Sequence, residues 1–364
     1  MRTNHRSPWA DIPAKRFFGG GRTLALVLLA TSLTGCDLAT SYYDKLRGSS
    51  SGNSGVQPSP ADNTSPAVHD SQVVQGPPVA HNTWAAKTSM PTARYSLTSA
   101  SVGHVMYAIG GSDVNGNPLK TVETYDSATG VWTSKTDMPT ARYGQTSAVI
   151  GNVIYVMGGV INNPQDARNI VEAYDTTTNS WTTKASLPAL RAFGTSGAVG
   201  SLVYFVGGID RFGTPQNTLY SYDPTADSWS TKTSMPTARA SLASSVAGGL
   251  LYVVGGSGGT GTEVEAYQPS TNTWTTKASM PLPRQSLASA AVAGVVYTVG
   301  GIDPNTGELD TVAAYTPGSN TWASKGSMSG SKFSMGIALI DGLIYVMGGQ
   351  SSHVPLANVA AYTP

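Results

Sequence analysis

The 364 residues are 40% hydrophobic and 12% charged, with 22 Lys and Arg against 21 Asp and Glu. That apolar content excludes a chain disordered throughout, and the near balance of charge excludes a nucleic-acid binder or a polybasic membrane face. A single Cys excludes an intramolecular disulfide, and five scattered His offer no metal-ligand spacing, so neither a metal nor another cofactor is expected.

In chain order the first feature is a basic leader up to Arg22, followed by the apolar run Thr23 to Leu33. The run is about half the roughly 20 residues that a membrane-spanning helix needs, and it fits the apolar core of a secretory signal peptide. Leu33-Thr34-Gly35-Cys36 comes next and resembles a bacterial lipobox, in which small residues precede a Cys that is acylated and becomes the first mature residue. The resemblance implies a lipoprotein signal peptide over 1–35 and lipidation at Cys36. It also implies a place in the bacterial cell envelope, periplasmic or on the cell surface, held to the lipid bilayer by more than one acyl chain, as stable anchoring requires. Residues 36–80 are dominated by Ser, Gly, Pro, Asn and Asp with no apolar period. They read as a flexible tether with a mean reach of roughly 35–40 Å.

Residues 81–364 carry an internal repeat. Gly-Gly pairs end at Gly111, Gly159, Gly208, Gly256, Gly301 and Gly349, spaced 48, 49, 48, 45 and 48 residues apart. The same irregular spacing recurs in Trp84, Trp132, Trp181, Trp229, Trp274 and Trp322, and in the basic series Arg94, Arg142, Arg191, Arg239, Arg284 and Lys332. Within a unit, a short run of small residues is followed by an apolar segment stopped by Gly-Gly, such as VMYAIGG, then by VETYD or its equivalent, then by a segment opening on Trp. Four short strands per unit, joined by turn-rich connections, predict the blade of a propeller. These residues resemble the kelch repeat: a basic residue ahead of the first strand, Gly-Gly closing the second, Tyr in the third, Trp in the fourth. The resemblance covers residues 81–364 and implies an all-β, six-bladed kelch-type β-propeller.

The chain stops at Tyr362-Thr363-Pro364, a third strand with no Trp after it, while His81-Asn82-Thr83-Trp84 is a fourth strand with no blade before it. The two complete each other, so the last blade is expected to be closed by the N-terminal strand.

By symmetry the basic series would stand around one mouth of the central channel, where six cations could hold a carboxylate, phosphate or sulfate. A second reading pairs them with backbone or with Glu123, Glu172 and Glu265. Positions that differ between blades are more discriminating, because the repeat does not demand them. Tyr95, Tyr143 and Phe333 directly follow the basic residue, and Phe193 stands one further, giving aromatics suited to stacking on a sugar or gripping a peptide. The candidate ligand-binding set is therefore Arg94, Tyr95, Arg142, Tyr143, Arg191, Phe193, Arg239, Arg284, Lys332 and Phe333, with a glycan or envelope protein as partner. A binding module is favoured over an enzyme. The alternative is a kelch-type sugar epimerase or mutarotase acting in the channel; Asp210 with Arg211, or Asp303 with Arg284, are its nominal acid and cation, and no motif singles them out. Replacing Cys36 with Ser is expected to move the protein from the membrane to the soluble fraction, which fractionation and mass spectrometry of the N-terminus would check.

Overall fold

The computed structural model describes residues 81–162 and 166–364; the leader, Cys36 and the tether lie outside them. Six antiparallel four-stranded sheets form the six blades of a propeller. The first blade runs from its inner strand Thr98–Val102 through Val105–Ile109 and Val122–Asp126 to its outer strand Val131–Lys135. The later inner strands are Thr146–Ile150, Thr195–Val199, Ala243–Ala247, Ala288–Val292 and Gly336–Ile340.

Burial explains the sequence pattern of each strand. The second strand is apolar on both faces because each face meets a neighbouring blade: Tyr107 and Ile109 of the first blade pack with Ile154, Val156 and Tyr174 of the second. The outer strand has one covered face, where Trp lies tilted over the third-strand Tyr; Trp132 and Tyr125 are 5.3 Å apart between ring centroids. The Trp indole N–H reaches back to a carbonyl ahead of the same blade, Trp132 to Thr88 at 2.9 Å and Trp181 to Thr136 at 3.0 Å.

Closure follows the expectation. The strand Thr83–Lys87 pairs antiparallel with Val359–Thr363, with Trp84 opposite Tyr362, and so becomes the outer strand of the sixth blade. Asn82, at φ 63°, takes the place that a hairpin Asn holds in an unbroken blade. Its Oδ1 accepts the Tyr362 hydroxyl at 2.6 Å and the Gly326 N–H at 2.6 Å. Asn179, at φ 55°, does the same for Tyr174 and Thr136.

Two circles of backbone hydrogen bonds run round the axis. In the first, the second Gly of each pair donates to the carbonyl of the next blade's basic residue, from Gly111 to Arg142 round to Gly349 and Arg94, at 2.8–3.0 Å. Gly111 sits at φ 98°, and a Cβ there would stand 2.8 Å from the Tyr95 carbonyl, so this contact requires glycine. In the second, Ser96, Gly144, Phe193, Ser241, Ser286 and Ser334 each donate to the equivalent residue of the preceding blade, with Ser96 donating to Ser334, all at 2.8–2.9 Å. Deleting residues 81–88 is expected to lower the melting temperature far more than deleting 49–72. The first removes a whole strand and Trp84, although Trp84 is only partly covered and its own share is below the ~3–5 kcal/mol of a fully buried Trp. The second only shortens an entropic spacer. Equal losses would contradict closure by this strand.

Candidate functional site

The six cations of the repeat do not line the channel. Arg94, Arg142 and Arg239 are fully buried, and Arg191, Arg284 and Lys332 are at most 5% exposed. Gly-Gly ends the second strand with a carbonyl that has no strand partner, and the guanidinium supplies one. Arg94 Nη1 donates to the carbonyls of Gly110 and Thr121, both at 3.0 Å, and Arg142 Nη1 to Gly158 at 2.6 Å and Ile170 at 3.2 Å. The other amino group meets a third-strand carboxylate: Glu123 at 2.8 Å, Glu172 at 2.7 Å and Glu265 at 2.6 Å for Arg94, Arg142 and Arg239. A Thr on the connecting loop holds the other carboxylate oxygen, as Thr140 does for Glu172 at 2.7 Å. Such a saturated pair belongs to the blade, as the reading that pairs the series with backbone and with Glu123, Glu172 and Glu265 expects, and these cations do not form an anion-binding ring at the channel mouth.

In the other three blades the carboxylate position is Tyr220, Ala313 or Ala360. Arg191 then donates to the Leu190 carbonyl and the Thr218 hydroxyl, Arg284 to Gly300, Thr311 and its hydroxyl, and Lys332 to Asn358 Oδ1 at 2.9 Å. Burial pushes Arg284 down to about 10 and Lys332 down to about 8.

The variable aromatics divide. Phe333 and Tyr143 are buried, and burial, followed by the neighbouring Tyr95, pushes the Tyr143 phenol up to about 12. Tyr143 belongs to an apolar cluster with Val160, Ala167, Ala192, Ile209 and Ala240 that supports the loops on this face. Tyr95 and Phe193 stay partly accessible, and the Phe193 ring stands edge-on to Tyr143 with centroids 6.1 Å apart. The nominal acids have structural duties: Asp210 Oδ1 accepts the N–H groups of Phe212 and Thr214, and Asp303 binds the Asn305 N–H and the Thr306 hydroxyl. Arg211 lies over the Phe212 ring at 4.7 Å instead of pairing with Asp210.

What the structure does bring together on the axis is a cavity of about 260 Å³, built from the same four positions of every blade, Ser96–Ser99 in the first. Its wall comes from the start of each inner strand, so the cavity occupies the half of the channel nearest the loops that follow Gly-Gly. At its upper edge stands the collar formed by the second hydrogen-bond circle, with every member in the left-handed region, φ 49° to 63°. Below it, hydroxyls lace neighbouring blades: Thr98 to Ser147 at 2.7 Å, Thr146 to Ser196 at 2.8 Å and Thr195 to Ser244 at 2.7 Å. Opposite, Ala288, Gly336 and Ile337 make the wall apolar. The wall contains no Asp, Glu, His, Lys, Arg, Tyr or Cys among the described residues. Sequence reasoning passed over the collar serines; the signal was the column two residues after each basic residue, where Ser recurs four times.

Lys332 gives a test of this placement. Its folded pKa lies below its ordinary value of 10.5, so the folded state disfavours the charge; the unfolded chain holds more protons on this group between about pH 8 and 10.5, and stability gained from it rises with pH over that window. Lys332→Met is therefore expected to melt higher than wild type at neutral pH, with the gap narrowing toward about pH 9.5. Paired melting curves check this, and a gap that widens with pH contradicts it.

With this geometry in hand, comparison with known proteins is consistent across the propeller. The family described as the KLHDC2/KLHL20/DRC7 Kelch-repeats domain matches residues 79–256 and 193–364. No curated protein sequence matches the chain. A solved structure titled "Structure of YjhT" is similar with a TM-score of 0.65 at 17% identity, over 76% of this chain and 96% of that one, which is a likeness of fold. Four columns of repeat residues, six blades and the family match together place the chain in the Kelch-repeat family.

Proposed function

We propose that this chain is a lipid-anchored binding module of the bacterial envelope, recognising a glycan or protein partner through the propeller face that carries the Gly-Gly loops. The observation that carries the reading is the axial cavity, which lies in the half of the channel nearest that face and is walled by hydroxyl, amide and apolar groups without an ionisable side chain among the described residues. Around it the loop tips present Phe212, 74% exposed, with Val114 and Val354 also exposed, and Tyr95 partly so. Accessible aromatics set among short polar loops on a rigid scaffold are the usual material of a recognition surface.

The epimerase or mutarotase reading needs a group that gives and takes a proton within hydrogen-bond reach of a bound sugar. The cavity wall supplies none, and the two nominated acids are committed to their own loops. Calorimetry and NMR of the full chain with envelope polysaccharides and peptidoglycan fragments would test the choice. Saturable binding without chemical change is expected, and Tyr95→Ala is expected to weaken it several-fold. Accelerated interconversion of sugar anomers or epimers would overturn the reading.

A further inference from the structure

Two departures from the repeat meet at the collar of the axial cavity. The collar residue is Ser in blades one, four, five and six, but Gly144 in the second and Phe193 in the third. A Phe at φ 54° is an outlier, since a bulky side chain in the left-handed region meets a steric cost that Gly avoids. Such strain persists where the surroundings over-determine it, and it concentrates at ligand sites. Gly144 is part of the same arrangement: a Cβ there would stand 2.6 Å from the Phe193 ring, so the bare glycine makes room for that ring over the second blade.

Across the collar from Phe193 stand Ser241, Ser286, Ser334 and Ser96. Their side-chain hydroxyls are partly accessible and take no hydrogen bond from the described residues around them, so each is free to donate and to accept. The cavity thus sets an aromatic ring against hydroxyls, with no charge to match an ion. Its 260 Å³ lies below the ~300–1,000 Å³ of pockets for drug-sized ligands, which limits the occupant to the size of a single ring.

We propose that the axial cavity binds one uncharged pyranose unit, its C–H face on Phe193 and its hydroxyls on the collar serines. This rests on the binding-module reading and narrows the partner to a neutral glycan. A carboxylated or phosphorylated sugar would bring a charge into a wall that has no counter-charge, and is excluded on that ground.

The test uses the full lipidated chain in a detergent without a sugar headgroup. Ligand-observed NMR is run with a panel of neutral methyl hexopyranosides, with N-acetylneuraminic acid, and with a short uncharged peptide. Binding of at least one neutral pyranoside, and none of the acidic sugar, is expected. Phe193→Ser, which restores the residue found in four other blades, should weaken that binding by about tenfold or more while the melting temperature stays level or rises. Glycan polymer binding that is insensitive to this substitution would remove this site and leave the binding-module reading intact. Binding of the peptide or the acidic sugar in place of the neutral panel would overturn the assignment, and absence of binding to any carbohydrate, polymer included, would overturn the glycan reading with it.

Discussion

The fold depends on how six blades share one axis, and the shared contact is the backbone carbonyl of each basic residue. That carbonyl accepts the N–H of the preceding blade's second glycine, and six such contacts close a ring. In four blades the side chain of the same residue, Arg94, Arg142, Arg239 or Arg284, also binds the first glycine's carbonyl and so couples two Gly-Gly corners. The guanidinium is suited to this because it is planar, carries several donors in fixed directions and is less strongly hydrated than an ammonium. Where the sixth blade uses Lys332, a single ammonium reaches Asn358, and the two-carbonyl clamp of Arg94 is lost.

Burying a cation is expensive, and the blades handle this unequally. Three have a carboxylate within 2.8 Å and a Thr to hold it; three have only carbonyls, hydroxyls or an amide. Removing one partner of a buried pair strands the other charge at a cost of about 3–5 kcal/mol, so Glu123, Glu172 and Glu265 are bound to their arginines as closely as the arginines are to the turns. The ionic groups of the repeat are thereby spent inside the blades. The axial cavity is left neutral among the described residues, and chemistry there is restricted to hydroxyls and one aromatic ring.

Blade number, strand order and ring closure were legible because each rests on a contact made six times, and a contact made six times leaves a column in the sequence. Closure was legible from Trp84 and Tyr362 alone, since a lone fourth strand and a lone third strand together complete one four-stranded blade. The direction of the cations was left between two readings, one toward the channel and one toward Glu123, Glu172 and Glu265 in the blades. A basic residue ahead of an inner strand reads the same whether it faces the channel or the blade. The choice is made by unpaired carbonyls that exist only once Gly-Gly has turned the chain. The collar was hidden for a different reason: nothing in a Ser marks it for the left-handed region, so Ser96, Ser241, Ser286 and Ser334 looked like ordinary loop residues. Phe193 was noticed as an aromatic, but its significance lies in its backbone, which the sequence does not display.

The neutral collar and the strained Phe193 turn a repeat scaffold into a specific site, and a crystal structure of the full chain grown with a neutral methyl hexopyranoside tests that most directly. The ring of the sugar is predicted to lie on the axis, against Phe193 and within hydrogen-bond distance of the collar serines. A sugar bound only on the outer rim of the blades, with the axial cavity holding solvent alone, would contradict it.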